Sequence, residues 1–431
     1  MTLKKTVVLF LCLALAGTMA FAAGGGQQSG SGGTGGAGGA KTVLNFWSWR
    51  TEDVDAYEEL FKIFEAQNPG IDVVHTAHRN TEYNTILAAA LNGGSGPDVF
   101  MARSYGGFEA FAQSGYMQAL DELMPELKNF NDANRRGCTS VADGKIYGVP
   151  MASQTCVIFY NPAIYSKLGL KIPVTWDEFI ANLEAIKKAG ITPIAFGGKD
   201  SWDFETMLGN LAPNFYGANN FYEKVRAGQT TFEDPAFVGA IAKLNELKPY
   251  VPEMVLGVSY DDARALFINE QAAHFLGGSY DAGYFSAQNP SLKYDIMKPP
   301  VAKAGDTSYV AVYADGSYAM NTATPQKEAA LKLLKFFAGK ETGEMHVKAI
   351  KWVTAVPGVN TSADPFITKI LDFQKNNTPH IFVVGFRYGQ PTGSAEIQAA
   401  MQGLYGGQMS PADVAKKVQD GVATWFEPFK K

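Results

Sequence analysis

KTVLNFWSWRTEDVDAYEELFKIFEAQNPGIDVVHTAHRN, residues 41–80, sets the fold. Val43-Leu44-Asn45-Phe46-Trp47 reads as a strand, being β-branched and aromatic. Val54, Tyr57, Leu60, Phe61 and Phe64 then recur at helical spacing, and Asn68-Pro69-Gly70 stops the helix. Ile71–Thr76 reads as a second strand and Tyr83–Leu91 as a second helix. Gly93-Gly94-Ser95-Gly96-Pro97 turns the chain into a third strand, Asp98–Ala102, before a helix near Phe108–Gln113. This β-α-β-α-β order, with right-handed crossovers, predicts an α/β fold with a parallel sheet and helices on both faces.

Ligands of such open sheets bind outside the carboxyl ends of the strands. Those ends are Trp47-Ser48-Trp49-Arg50-Thr51, His78-Arg79-Asn80 and Arg103-Ser104-Tyr105. Three separate loops thus deliver aromatics, guanidiniums and small polar groups to one edge. Trp47 is expected in the core, since it cannot face the loop together with Phe46, whereas Trp49 follows the strand and is free to meet a ligand. Asp98 is expected to fix a strand entrance.

Further along, Asp143-Gly144-Lys145 reads as a turn between two strands, with Thr155–Tyr160 the second of them. Thr175 is the expected N-cap of an amphipathic helix over Trp176–Ala189, with Trp176 a packing residue at its start. Ile191–Phe196 and Ala272–Gly277 read as strands, Thr324–Lys340 as one long helix started near Pro325, and Pro411–Trp425 as the closing helix. No internal repeat is visible.

Upstream, Met1–Lys5 is a short basic start and Thr6–Ala16 is almost wholly apolar. Ala20-Phe21-Ala22 then gives the small-x-small pattern of a cleavage site, so residues 1–22 are expected to be a signal peptide. Cys12 lies inside the apolar run and not at the cut, which argues against lipid anchoring and for a free periplasmic protein. Residues 23–40 are nearly all Gly, Ala, Ser, Thr and Gln, with Gly the commonest, and are expected to be a disordered lead-in. No second apolar run of membrane length follows.

The remaining chain, of about 400 residues, exceeds what one core comfortably holds, so two lobes are expected. Losing Lys4 and Lys5 takes the formal charge from −5 to −7, an acidity that argues against nucleic acid or an anionic membrane surface as partner. Cys138 and Cys156 would be the two cysteines left, and a bridge between them is left open.

Several stretches resemble the carbohydrate-binding proteins of ABC importers, in the large extracellular solute-binding family that includes the maltose-binding proteins. They are Phe46-Trp47-Ser48-Trp49-Arg50, Phe64-Glu65-Ala66-Gln67-Asn68-Pro69-Gly70-Ile71, Gly96-Pro97-Asp98-Val99 and Ala112-Gln113-Ser114-Gly115. Asp143–Pro150, Phe159-Tyr160-Asn161 and Pro173–Glu178 follow in the same order. The resemblance implies a two-lobed periplasmic-binding-protein fold, each lobe a mostly parallel sheet flanked by helices, joined by a multi-strand hinge. It places one lobe at 41–150 plus 309–358 and the other at 151–308 plus 359–431, with crossings near 149–153, 303–309 and 357–361. It further implies an extracytoplasmic binding component that captures a sugar by hinge closure and hands it to permease subunits, as a monomer and without a cofactor.

Sugars offer hydroxyls that need paired donors and acceptors, and flat C–H faces that pack on aromatic rings. By the resemblance, Trp49, Arg50 and Glu52 sit in the first ligand-facing loop and Arg103, Ser104 and Tyr105 in another. Gln154 takes the hinge position, Asp200 and Trp202 follow the strand ending at Phe196, and Tyr280 follows Gly277-Gly278-Ser279. Arg387 and Tyr388 fall in the last loop. The same fold with a peptide, polyamine or phosphate ester as cargo is the nearest alternative.

An enzyme is not expected. There is no Gly-x-Ser-x-Gly elbow, no zinc-hydrolase helix pattern around His75 and His78, and no catalytic or metal-ligating set stands out. A glycosidase would need two carboxylates about 5–10 Å apart across a cleft, and nothing singles out such a pair. The five histidines are expected at the surface or hydrogen-bonded in the structure.

Overall fold

The computed structural model describes Lys41–Lys430. The expected signal peptide and Gly-rich lead-in lie outside the described residues. Among the described residues no helix is long and apolar enough to cross a membrane.

Among the described residues twelve strands form two sheets. They are β1 (Thr42–Ser48), β2 (Ile71–Ala77), β3 (Val99–Ala102), β4 (Val149–Pro150), β5 (Ala152–Tyr160), β6 (Thr192–Ala195), β7 (Ala272–Gly278), β8 (Asp295–Met297), β9 (Val310–Ala314), β10 (Ser317–Met320), β11 (Val353–Thr354) and β12 (Asn377–Pro379). The first sheet has the order β2-β1-β3-β10-β4, with β1 parallel to both β2 and β3. The helices Val54–Gln67 and Tyr83–Asn92 connect them, so the β-α-β-α-β reading of residues 41–102 holds. Phe46, Tyr57, Phe61, Phe64, Tyr83 and Phe100 fill the core beneath this sheet. Asp98 fixes the entrance of β3 as expected. Its Oδ2 accepts the backbone N–H of Asn45 at 2.8 Å, and its Oδ1 takes the hydroxyl of Thr324.

The second sheet runs β12-β9-β5-β7-β6. It is mixed: β6–β7 and β9–β12 are parallel, but the nine-residue β5 runs antiparallel to β7, β8, β9 and β11. Apolar clusters cover both its faces, one built on Phe179, Phe204, Phe237 and Phe382, the other on Phe159, Phe267, Phe275 and Phe285. The chain changes sheets at Met151, at Asp315-Gly316 between β9 and β10, and ahead of β11. The last two points differ from the 303–309 and 357–361 expected, because β9 and β11 both pair with β5 before or after the chain visits the first sheet.

Local chemistry explains the helix ends. Thr175 caps Trp176–Lys188 through a reciprocal capping box with Glu178, and Trp176 packs there with its Nε1 donating to Glu246 at 2.6 Å. The single helix expected over 324–340 is two. Lys327–Phe337 ends before Gly339, whose extended backbone (ψ 173°) breaks the run, and Lys340–Lys348 starts after it.

Two of the buried histidines, His274 and His346, are hydrogen-bonded through their rings, whereas the ring of buried His380 has no hydrogen-bond partner at Nδ1 among the described residues. His346 meets Tyr318 Oη at 2.9 Å and Thr354 Oγ1 at 3.0 Å, and His274 meets Tyr165 Oη at 2.6 Å. Cys138 and Cys156 are free and buried, and burial pushes the Cys138 thiol up to about 12. Thiolate is the reactive form. A thiol reagent at pH 8 should therefore leave both unlabelled in the native protein and label both in denaturant; no labelling after denaturation would instead reveal a bridge.

Candidate functional site

The turn after β1 enters the protein. Arg50 is buried, with Nε donating to Asp53 Oδ2 at 2.7 Å and Nη1 at 3.2 Å from Glu52 Oε1. Its Nη2 donates to the Tyr280 carbonyl at 3.4 Å, and its guanidinium lies 4.8 Å from the ring centroid of the fully buried Trp352. Glu52 reaches in turn to Arg264 Nη2 at 3.5 Å. Arg264 pairs with Asp281 at 2.9 Å and lies over the Tyr260 ring at 4.4 Å. Asp281 also accepts Tyr260 Oη–H at 2.7 Å and the Gly278 N–H at 3.1 Å. A continuous chain of charges thus joins the end of β1 in the first sheet to the end of β7 in the second.

Burial works against every ion in this chain, and neighbours decide the outcome. Burial opposes ionisation of Glu52, but Arg50 and Arg264 outweigh it and hold its carboxyl below the usual range. Asp53 goes the other way: burial, with Glu52 adding to it, pushes it up to about 6 against the pull of Arg50.

A second group gathers at the turn between β9 and β10. Ser104 Oγ accepts the Gly316 N–H at 2.7 Å and Tyr105 Oη accepts the Ala314 N–H at 3.0 Å. Between these anchors, Asp315 Oδ2 accepts Gln154 Nε2–H at 3.2 Å, and Gln154 Oε1 accepts Ser279 Oγ–H at 2.6 Å. Burial raises the Asp315 carboxyl, while Arg50 and Arg103 pull it back. Arg103 lays its guanidinium 3.9 Å from the Trp49 ring centroid and donates from Nη2 to the Asn80 carbonyl at 3.2 Å.

The last loop closes the ring. Arg387 donates from Nη2 to the buried Glu205 at 3.0 Å and from Nε to Ser394 at 2.6 Å. Tyr388 packs beside Tyr105, Tyr313 and Ala314. Gly106, next to Tyr105, has no room for a side chain: a Cβ there would lie 2.2 Å from the Arg387 carbonyl oxygen.

The profile of the bacterial extracellular solute-binding proteins matches residues 47–344, more than two thirds of the chain. The chain belongs to that family. Among its relatives is the multiple sugar-binding protein of Streptococcus mutans, 25% identical over 328 residues that cover 74% of this chain and 76% of that one. The fold is similar to that of a chitin oligosaccharide binding protein, at TM-score 0.76 and 25% identity over 89% of this chain and 98% of that one. It is also similar to the maltose/maltodextrin-binding domain of Bdellovibrio bacteriovorus bound to maltotriose, at TM-score 0.71 and 19% identity over 90% and 100%. The relatives are named as binding proteins, not as enzymes.

In this solute-binding protein the sequence-derived residues fall into linked groups. Arg50, Glu52 and Tyr280 meet in the charge chain, and Trp49, Arg103, Ser104, Tyr105 and Gln154 surround the Asp315 turn. Asp200 and Trp202 stand to one side: Asp200 Oδ2 accepts the Tyr260 N–H at 2.7 Å and the Trp202 ring packs 4.4 Å from that of Tyr260. Trp49 is 3% exposed, enclosed between Arg103 and Tyr83, so its ring has no free face as described. Trp47, expected in the core, is half-buried against His78.

Sequence reasoning missed Asp315, Arg264, Asp281 and Glu205. Asp315-Gly316 between two apolar runs is a legible hairpin signal. Nothing local marks Arg264 or Glu205, which lie in helical segments far from any strand end.

Proposed function

We propose that this solute-binding protein captures a small carbohydrate between its two sheets and delivers it to an ABC permease after export to the periplasm. The observation that carries this reading is the meeting of loops from β1, β3 and β7 around Gln154 and Asp315, which sets aromatic rings beside paired donors and acceptors. That is the combination a sugar's faces and hydroxyls require. The names of the sugar-binding relatives support the same cargo class.

Trp49, Arg50, Glu52, Arg103, Ser104, Tyr105, Gln154, Asp200, Trp202, Tyr280, Arg387 and Tyr388 form the proposed site, with Asp315 added. The two lobes are built on the two sheets, lobe one being 41–150 plus 309–358, while the chain itself changes sheets at Met151, at 315–316 and ahead of β11. Short segments at those changes absorb the rotation of closing. Ligand drives closure by contacting both halves better in the closed state. The protein works as a monomer, with no catalytic step.

A thermal-shift screen of the mature protein against mono-, di- and oligosaccharides, with polyamines and peptides as controls, tests this. A ligand at a hundred times its Kd stabilises by about 2.7 kcal/mol, a readily measured shift. Trp202→Ala and Tyr280→Ala should each weaken the responding sugar about tenfold. Stabilisation by peptides or polyamines with none by sugars would refute the carbohydrate reading.

A further inference from the structure

One arginine of the site stands outside its ion pairs. Arg50 is met by Asp53 at 2.7 Å, Arg264 by Asp281 at 2.9 Å and Arg387 by Glu205 at 3.0 Å. Arg103 forms no ion pair among the described residues; its partners there are the side chains of Asn80 and Asn84 and the Asn80 carbonyl. It is fixed nonetheless, by stacking 3.9 Å from the Trp49 centroid, so its orientation does not depend on a partner. Nη1 of Arg103 and Nη1 of Arg387 meet no acceptor among the described residues.

The two arginines flank one helix start. A Cβ on Gly107 would lie 2.5 Å from Arg103 Cβ, and one on Gly106 would lie 2.2 Å from the Arg387 carbonyl, so adjacent residues of one helix start touch both. Burial pushes Arg103 down to about 10, with Asp315 opposing and the like charge of Arg387 adding to the effect. Asp315 makes no ion pair with Arg103, so the partly desolvated guanidinium is only partly offset until an anion arrives. Planar guanidiniums suit carboxylates well, through parallel N–H···O bonds.

Resting on the carbohydrate reading above, we propose that Arg103, aided by Nη1 of Arg387, makes the site select a saccharide that carries a carboxylate, a uronate, over its neutral counterpart. One guanidinium outside any ion pair matches one carboxylate better than the double charge of a phosphate. Asp315 faces the same region and works against a ligand anion. It suits a sugar hydroxyl instead, and Gln154 holds it by Oδ2.

The test is titration calorimetry of the mature protein with matched pairs: galacturonate and galactose, glucuronate and glucose, and the corresponding di- and trisaccharides, with glucose 6-phosphate as a separate arm. The expected result is at least tenfold tighter binding of one uronate series, weakening as salt rises. Arg103→Gln should bring that uronate down to the affinity of its neutral counterpart. Arg103→Lys, which keeps the charge, should retain a preference, and Asp315→Asn should strengthen the uronate. Neutral sugars bound as tightly as their uronates, or a sugar phosphate bound more tightly than either, would overturn the inference and leave the carbohydrate reading standing. No binding by any saccharide would overturn both.

Discussion

Asp281→Ala will destabilise the folded protein by about 3–5 kcal/mol, the range for breaking a buried ion pair from one side. The carboxylate is fully enclosed and accepts from Arg264 Nε at 3.0 Å, from Tyr260 Oη at 2.7 Å and from the Gly278 N–H at 3.1 Å. Removing it strands a buried phenol hydroxyl and a buried guanidinium together. Arg264 would retain Glu52 at 3.5 Å and the more exposed Asp261 at 3.6 Å, which are poorer partners. The loss should appear as a lower urea midpoint with an unchanged slope. Replacing both partners by apolar residues of similar size, Arg264→Met with Asp281→Leu, should recover much of it, since the intact pair gains little over a packed apolar pair. A single-variant loss below about 1 kcal/mol would show that the cluster contributes little.

Asp281 also shows where sequence reading ran out. It directly follows Tyr280, a residue chosen as ligand-facing, yet its partner Arg264 sits in a helix between Tyr260 and Ile268 with no motif around it. Their meeting is a tertiary fact. The same divide separates the two sheets. Residues 41–102 were legible because each strand and helix there announces itself by local periodicity and joins a neighbour close in sequence. The second sheet was not, because β5 takes partners from residues 272–278, 295–297, 310–314 and 353–354, and no local pattern specifies which strand lies beside which. The resemblance implied a mostly parallel sheet, and the long antiparallel β5 makes this one mixed. The site divides in the same way. Loops after strands were found, while Asp315 was passed over although Asp315-Gly316 is a turn signal, and nothing local marks Trp352, whose ring lies 4.8 Å from the Arg50 guanidinium.

Gly106→Val should reduce ligand affinity at least a hundredfold while leaving the unliganded protein's thermal stability within about 1 °C. The reason is steric and lies between the halves. Gly106 precedes Phe108 of the first core, and Arg387 follows Phe386 of a core belonging to the second sheet. In the described arrangement a Cβ at 106 would stand 2.2 Å from the Arg387 carbonyl oxygen and 2.8 Å from the Tyr388 nitrogen. These are backbone atoms that cannot rotate away, so the two halves must separate to admit a side chain. Separation also pulls Glu52 from Arg264 and Arg50 from the Tyr280 carbonyl, which now bridge the sheets. A ligand can then engage one half-site only, and it stabilises closure only by what it gains from the second. A hundredfold loss corresponds to about 2.7 kcal/mol of forfeited contacts. Gly106→Ala should fall between wild type and valine, because a methyl group demands a smaller opening. Calorimetry gives the affinities, and small-angle scattering with saturating sugar should show the valine variant keeping a larger radius of gyration than wild type. Equal affinity and equal compaction in the two proteins would mean that closure does not pass through this contact.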